Sequence, residues 1–136
     1  MRSDRGQALL EFALAVPLVL VVSVSSFDVA RAVWQLNALG YATREGARYV
    51  IAHGAGSDDP VGPAAVTDGP VRDAVVRAAV GLPAQLVLAT WPDGTNSDGS
   101  RATVEATVEF VPVASQYLTG GALHLTLRGV TTQVIR

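Results

Sequence analysis

The sequence predicts an α+β fold, in which a long N-terminal transmembrane helix precedes a short helix and a three-stranded antiparallel sheet. Three observations lead to this prediction. Residues 7–27 are apolar apart from Gln7, Glu11 and three serines. A segment rich in Gly, Pro and Asp follows at 54–70. Farther on, two long segments alternate apolar and polar residues, which is typical of strands with one buried face.

These features divide the chain into four parts. Residues 1–6 form a short polar leader, expected in the cytoplasm, and 7–53 form a long helix whose membrane span covers about residues 8–27. Residues 54–70 are a loop, and 71–136 form a small extracytoplasmic α+β domain. A chain of 136 residues suits one such domain with an anchor rather than two independent cores.

Composition excludes several classes of function. The formal net charge is −2, so no polybasic field indicates a nucleic-acid partner. The chain has no Cys, which rules out disulfides, thiolate metal sites and Cys nucleophiles. The domain must therefore be held together by packing within the chain or against neighbouring chains.

The apolar stretch is long enough to cross a membrane. Between Phe12 and Phe27 there is no charge, and a helix over this stretch covers about 24 Å. Adding Ala8–Leu10 brings the length near the ~30 Å hydrocarbon thickness. The positive-inside rule keeps Arg2 and Arg5 in the cytoplasm, which leaves the C-terminal bulk outside.

A buried core helix and a cleaved signal peptide both fit this apolar stretch less well than a membrane anchor. A buried helix of a globular protein would show a polar stripe, and this segment has almost none. A cleaved signal peptide requires a small-x-small cleavage site, and Ala30-Arg31-Ala32 is a poor one. A retained membrane anchor is favoured.

Glu11 is the anomaly of the anchor, because a carboxylate inside a spanning helix costs about 2.5–3.5 kcal/mol on insertion scales. In one arrangement Glu11 lies near the interface, with its carboxylate reaching back to the headgroups. In the favoured arrangement Glu11 has a cationic partner. A cut after Gly6 would leave an α-ammonium group on Gln7, which can pair with Glu11 of the same or a neighbouring chain.

The residues Gly6-Gln7-Ala8-Leu9-Leu10-Glu11-Phe12 resemble the type IV prepilin cleavage motif. The first third of the chain is similar to the TadE-like pseudopilins of bacterial tight-adherence pilus systems. The matching parts are Arg5-Gly6, Glu11-Phe12, Pro17, Phe27-Asp28 and Thr43-Arg44-Glu45-Gly46-Ala47-Arg48.

The resemblance implies a pilin-like arrangement and a non-catalytic role in pilus assembly. It implies cleavage between Gly6 and Gln7 by a prepilin peptidase, and a single-pass location in the cytoplasmic membrane or within a pilus. The implied partners are the membrane, other pilin or pseudopilin subunits and the secretion machinery, with no cofactor and no small-molecule substrate. Two alternatives stay open: a membrane-tethered binding domain that never enters a filament, and a pseudopilin of a type II-like secretion system.

The helix is expected to continue well beyond the membrane. An apolar stripe recurs at three- or four-residue steps, and the first stop signal is at His53-Gly54. The stripe consists of Phe27, Ala30, Trp34, Ala38, Tyr41 and Ala42. Pro17 is expected to kink or locally unwind the helix, because it removes one donor and clashes with the preceding turn.

The later turns of this helix carry two glycines and a group of charges. Gly40 and Gly46 each weaken the helix by about 1 kcal/mol relative to Ala, and they permit another element to approach closely. Arg44, Glu45 and Arg48 are predicted to form a solvated or structural charge cluster rather than a binding site.

The C-terminal domain is predicted from turn signals and alternation. Asp68-Gly69-Pro70 opens a short helix that runs through Ala79. Strands are predicted over 85–91, 102–113 and 123–134, joined by loops at 92–100 and 114–121. Sequential strands with short connections pair as an antiparallel meander, whose apolar face would cover the helix.

No catalytic or metal site is predicted. His53 and His124 have no acidic residue at metal-ligand spacing. The loop 93–100 faintly resembles a calcium loop, but its first ligand position would be Gly94, so a solvated hairpin loop is favoured. Glu105 and Glu109 share an exposed strand face, with nothing to indicate a paired acid and base.

Overall fold

A computed structural model of the chain describes residues 3–83 and 86–136 and confirms the α+β class. Side chains at the N-terminus are described from residue 6 onward, so the predicted cytoplasmic placement of Arg2 and Arg5 lies outside the described residues. In chain order the elements are α1 (Ser3–Ala52), α2 (Pro70–Ala78), β1 (Leu86–Thr90), β2 (Arg101–Phe110), α3 (Val113–Leu118) and β3 (Leu125–Val134).

Helix α1 is the longest element and begins earlier than the sequence predicts. It is helical from Ser3 and continues through Pro17, so the kink expected at this proline stays a prediction. The most apolar 18-residue window of α1 has a mean hydropathy of 2.3, and none of it is buried in the protein. Helix α1 is therefore long and apolar enough to span a membrane.

The three strands form the antiparallel meander that the alternation predicts, in the order β1-β2-β3. In this sheet Val104 of β2 pairs with Ala89 on one side and with Thr131 on the other. The strands are somewhat shorter than predicted. Gln85, where the first strand was expected to begin, lies outside the described residues.

The described chain forms two compact units, each made of separate stretches. The N-terminal unit comprises Met1–Ala32 and Val111–His124, and the C-terminal unit comprises Val33–Phe110 and Leu125–Arg136. The N-terminal unit contains the predicted membrane span. The C-terminal unit contains the sheet, α2 and the later turns of α1.

One face of β2 is buried at every second residue and forms the centre of the C-terminal unit's core, as the alternation predicts. The buried apolar residues of this core include Leu39, Ala42, Ala47 and Val50 from α1, Val71 and Val75 from α2, and Ala102, Val104, Ala106 and Val108 from β2. Trp34 and Tyr41, which the periodicity places on the apolar stripe, are instead about half exposed. Small residues line the buried face of α1, because α2 and β2 approach it closely there.

The segment predicted as a loop at 114–121 is only partly a loop, since it contains most of α3. Pro112 precedes this helix with an extended backbone and has no side chain able to cap it. The capping group comes from α1, far away in sequence, which is why the local sequence does not reveal the helix.

The Gly- and Pro-rich segment 54–70 is mostly irregular, as predicted. Val66 nevertheless forms a β-bridge with Ala89, through N–H···O distances of 2.9 and 2.8 Å. This bridge pairs with the outer side of β1, which would otherwise present an open strand edge.

Candidate functional site

The predicted cleavage and pairing residues lie on the first turns of α1. Gly6, Gln7 and Glu11 are exposed, and the Phe12 side chain is 67% exposed. Gln7 and Glu11 stand one helical turn apart and share a face of the helix. Among the side chains that the structure describes, no cation lies within ion-pair distance of Glu11.

An extensive apolar surface surrounds Glu11. Large side chains that are more than half exposed occupy every side of the helix here: Leu9, Leu10, Phe12, Leu14, Leu18, Val19 and Leu20. A helix that is apolar all round is a membrane span or is packed among other helices. Pro17 is also exposed, within this surface.

The Arg-Glu-Gly-Ala-Arg motif on the later turns of α1 divides into a buried and a solvated half. Arg44 and Arg48 are exposed, and Arg48 pairs with Glu45 at 3.3 Å, one turn away. An exposed pair at this spacing contributes little to stability. Arg44, Glu45 and Arg48 therefore lie at the surface of α1, in keeping with the predicted solvated or structural charge cluster. A binding role for these three residues stays untested.

The buried half of the same motif packs against the sheet and α2. Thr43, which immediately precedes the motif, is also fully buried, and its Oγ1 lies 2.9 Å from Oγ1 of Thr131 on β3. A Cβ at Gly46 would lie 3.1 Å from Val104 Cγ1 and would overlap Val75. Only a glycine therefore fits between α1 and its neighbours at this position.

Asp28 and Arg31 form a polar clamp that the sequence alone did not reveal. Asp28 is only 5% exposed, and its carboxylate accepts the backbone N–H groups of Val113 at 2.8 Å and Ala114 at 3.0 Å. Arg31 lies 3.4 Å from the Asp28 carboxylate and donates to the carbonyl of Val111. In the sequence, the signal for this clamp is an Asp at the end of an apolar run, followed by an Arg three residues later.

The loop that faintly resembles a calcium site uses its acidic groups differently. Asp93 accepts hydrogen bonds from the Arg101 side chain at 2.7 Å and from the Arg101 backbone at 2.8 Å. These bonds lower the pKa of Asp93 to about 2. Glu105 pairs with Arg128 on β3, and hydrogen bonding to this guanidinium lowers the pKa of Glu105. Residues 3–83 and 86–136 contain no group of three metal-ligating His, Cys, Asp or Glu side chains.

Within the described residues, neither histidine belongs to a cluster of metal-ligating side chains. His53 lies just after α1, where its ring stacks on Tyr49 with centroids 3.9 Å apart and its Nδ1 is 2.8 Å from the Tyr49 carbonyl. His124 lies in the N-terminal unit and is exposed.

Comparison with known proteins locates the relationship on α1. The family model described as TadE-like protein matches residues 6–48. Comparisons with curated proteins and with solved structures gave no significant match. The matched range contains Gly6, Glu11, Pro17 and the Arg-Glu-Gly-Ala-Arg motif, which are the residues that carry the resemblance in the sequence. Over its long N-terminal helix, the chain is similar to TadE-like proteins.

Proposed function

We propose that the chain is a non-catalytic TadE-like minor pilin or pseudopilin that acts in the assembly of a tight-adherence pilus. The observation that supports this most is the occurrence of Gly6 and Glu11 at the start of an exposed apolar helix, within the range that matches TadE-like proteins. The family relationship points to the pilus, and these two residues point to a specific role in it.

In this proposal α1 first serves as a single-pass anchor. The leader stays in the cytoplasm and the C-terminal unit is extracytoplasmic. A prepilin peptidase cuts between Gly6 and Gln7, so that Gln7 becomes the new N-terminus with a positive α-ammonium group. This group then lies one helical turn from the Glu11 carboxylate.

Glu11 then guides the subunit into a bundle of neighbouring helices. A carboxylate in hydrocarbon is costly, and an ammonium group of an adjacent subunit offsets that cost. The exposed side chains around Glu11 supply apolar surface for the same contact. The partners are therefore other pilin or pseudopilin subunits and the secretion machinery that moves them.

The N-terminus of the mature protein tests the cleavage. We expect mass spectrometry of the membrane-extracted chain to show a start at Gln7. A Gly6→Leu variant should keep Met1, because a side chain at Gly6 obstructs the peptidase. An intact Met1 in the unaltered chain would favour a simple tether, and a start near residue 27 or 33 would indicate a signal peptide.

Glu11 itself is tested by the change Glu11→Ala. We expect normal membrane insertion but about 100-fold less incorporation into pili, since removing one partner of a buried ion pair leaves the other charge unpaired. Sheared pili are quantified by immunoblotting with an antibody to the C-terminal unit.

Ser23→Ala provides the matched control, because Ser23 is another exposed polar residue of α1, and its Oγ donates to the Val19 carbonyl one turn away. This variant should assemble normally. Unimpaired piliation by the Glu11→Ala chain would contradict the pairing role.

A further inference from the structure

The segment 111–124, called the α3 loop below, departs from the sheet between β2 and β3. It contains α3 and belongs to the N-terminal unit together with the membrane span. The Asp28–Arg31 clamp holds its start, through Val113, Ala114 and Val111. The α3 loop is therefore tied to α1 at the residue that follows the predicted span.

From this attachment, α3 extends alongside the span. Leu20, Val21 and Val24 of α1 line one side of an apolar cleft of about 310 Å³. Val113, Ala114, Tyr117 and Leu118 line the other side. Leu20 precedes Asp28 by about 12 Å along the helix axis. The cleft thus lies beside the last turns of the span, on its extracytoplasmic side.

The outer surface of the α3 loop exposes large apolar and aromatic side chains beside the polar Gln116, Thr119 and His124. No Asp, Glu, Lys or Arg occurs anywhere in 111–124. Tyr117 is 84% exposed, Leu118 68% and Leu123 51%. A Tyr beside exposed Leu side chains is the composition found where proteins meet the membrane–water boundary.

The polar groups of the α3 loop are largely satisfied internally. Asp28 accepts the first amides of α3, and Ser115 accepts the Leu123 N–H at 3.0 Å through its Oγ. The Ser115 carbonyl accepts from the Thr119 hydroxyl at 2.9 Å and from the Gly121 N–H at 3.1 Å. A segment whose backbone groups are already bonded can enter a lipid interface without the cost of leaving them unpaired.

We propose that the α3 loop is an interfacial element that lies in the extracytoplasmic leaflet and binds lipid. Tyr117 and Leu118 reach the boundary between headgroups and acyl chains, and an acyl chain fills the cleft beside Leu20 and Val24. Lipid fits this surface better than a protein partner does, because the cleft is level with the membrane span and carries no charge to select a partner. The proposal rests on the anchoring part of the proposed function and not on pilus assembly.

Site-specific probes test this placement. The chain contains no cysteine, so single-cysteine variants can be labelled without altering other positions. Three are needed: Leu118→Cys in α3, Leu14→Cys in the predicted span, and Thr95→Cys in the loop between β1 and β2. Each full-length chain carries a nitrobenzoxadiazole label and is reconstituted in vesicles of phosphatidylcholine and phosphatidylglycerol.

Quenching by two agents then reports the environment of the label at each of the three positions. We expect spin-labelled lipids with the nitroxide near the headgroup to quench the label at position 118, and aqueous iodide to quench it several-fold less than the label at position 95. The label at position 14 should respond to nitroxides placed deeper in the acyl chain.

Each contrary outcome has a separate meaning. Iodide quenching at 118 equal to that at 95 would overturn the proposal, because α3 would then face water. Protection of position 118 from both quenchers would also overturn it, in favour of cover by a second protein chain. Failure of lipid quenching at position 14 would reject the anchor itself, and thereby separates failure of the proposed function from failure of this inference.

Discussion

Gly40 and Gly46 both lie within α1, but the side chains that surround them differ. A Cβ at Gly46 would overlap Val75 and press on Val104, both of which are fully buried. A Cβ at Gly40 would have only Arg44 Nη2 nearby, at 3.9 Å, which is an ordinary contact with a flexible side chain. Identical substitutions should therefore have opposite effects.

We expect Gly46→Ala to lower the free energy of unfolding of the C-terminal unit. Overpacking costs about 1–3 kcal/mol, which outweighs the gain of about 1 kcal/mol in helix propensity. Gly40→Ala, the matched control, should instead raise that free energy by up to about 1 kcal/mol. Urea unfolding of the detergent-solubilised chain, followed by the fluorescence of buried Trp91, measures both. Equal effects of the two substitutions would contradict the packing at Gly46.

The loop between β1 and β2 is fastened by Asp93, which bonds both the backbone and the side chain of Arg101 at the first residue of β2. The Arg101 side-chain bond is the largest influence that lowers the pKa of Asp93 to about 2, below its ordinary value near 4. A depressed carboxyl pKa stabilises the folded state above the unfolded pKa, and the stabilisation is lost as the pH falls through the folded pKa.

Asp93→Asn should therefore destabilise the C-terminal unit slightly at pH 6, and its difference from the unaltered chain should shrink between about pH 4 and pH 2. The effect is small because both partners are partly solvated. Urea midpoints across this pH range measure it. Asp98→Asn removes the same charge from the same exposed loop and should show a smaller difference at pH 6. A difference for Asp93→Asn that persists at pH 2 would argue against the ion pair.

The elements that the sequence predicts well are those whose signal is local. Apolar character predicts the first half of α1 and helical periodicity predicts its continuation. The strict alternation around Val104 predicts β2 and its buried face. Helix α3 was missed because it is short and is capped by Asp28, which is distant in sequence. The bridge of Val66 to Ala89 was missed for the same reason.

The residues of the candidate site also divide into those that the sequence reveals and those that only the structure reveals. The spacing of Gly6 and Glu11 is visible in the sequence and lies within the range that matches the TadE-like family model, while its interpretation as a cleavage and pairing site stays a prediction. The buried side of the later motif required the structure, because the pattern does not show that Thr43 and Gly46 face the core while Arg44 and Arg48 face solvent. The partner proposed for Glu11 belongs to a second subunit, which no single chain reveals.

In the molecule as a whole, we expect the sheet to fold independently of the segment between its second and third strands. Phe110 and Leu125 are the last paired residues of β2 and β3, and they stand opposite each other in the register. The α3 loop therefore leaves and re-enters the C-terminal unit at one fixed point. Its closure adds little to the cost of folding, since this cost rises only slowly with loop length.

Replacing 111–124 by an Asn-Gly turn should therefore leave the sheet folded, because this dipeptide favours the two-residue hairpin that joins directly opposed residues. Hydrogen exchange at Val104 and Ala106 should be unchanged. As a control for the sensitivity of the measurement, Val66→Pro removes the N–H that bonds the Ala89 carbonyl, and exchange in β1 should become faster. Loss of protection at Val104 in the shortened chain would show that the α3 loop is needed for the sheet.

The opposed pair Phe110 and Leu125 has a consequence for how this kind of protein diverges. If the sheet folds without the interval, as predicted above, insertions, deletions and replacements between these two positions leave its register untouched, so that selection can act on the interval alone. Under the lipid-binding role proposed for the α3 loop, lineages whose membranes differ in thickness or lipid composition would each adapt the interval to their own bilayer. Variation in length should accumulate there, while β2 and β3 on either side change slowly.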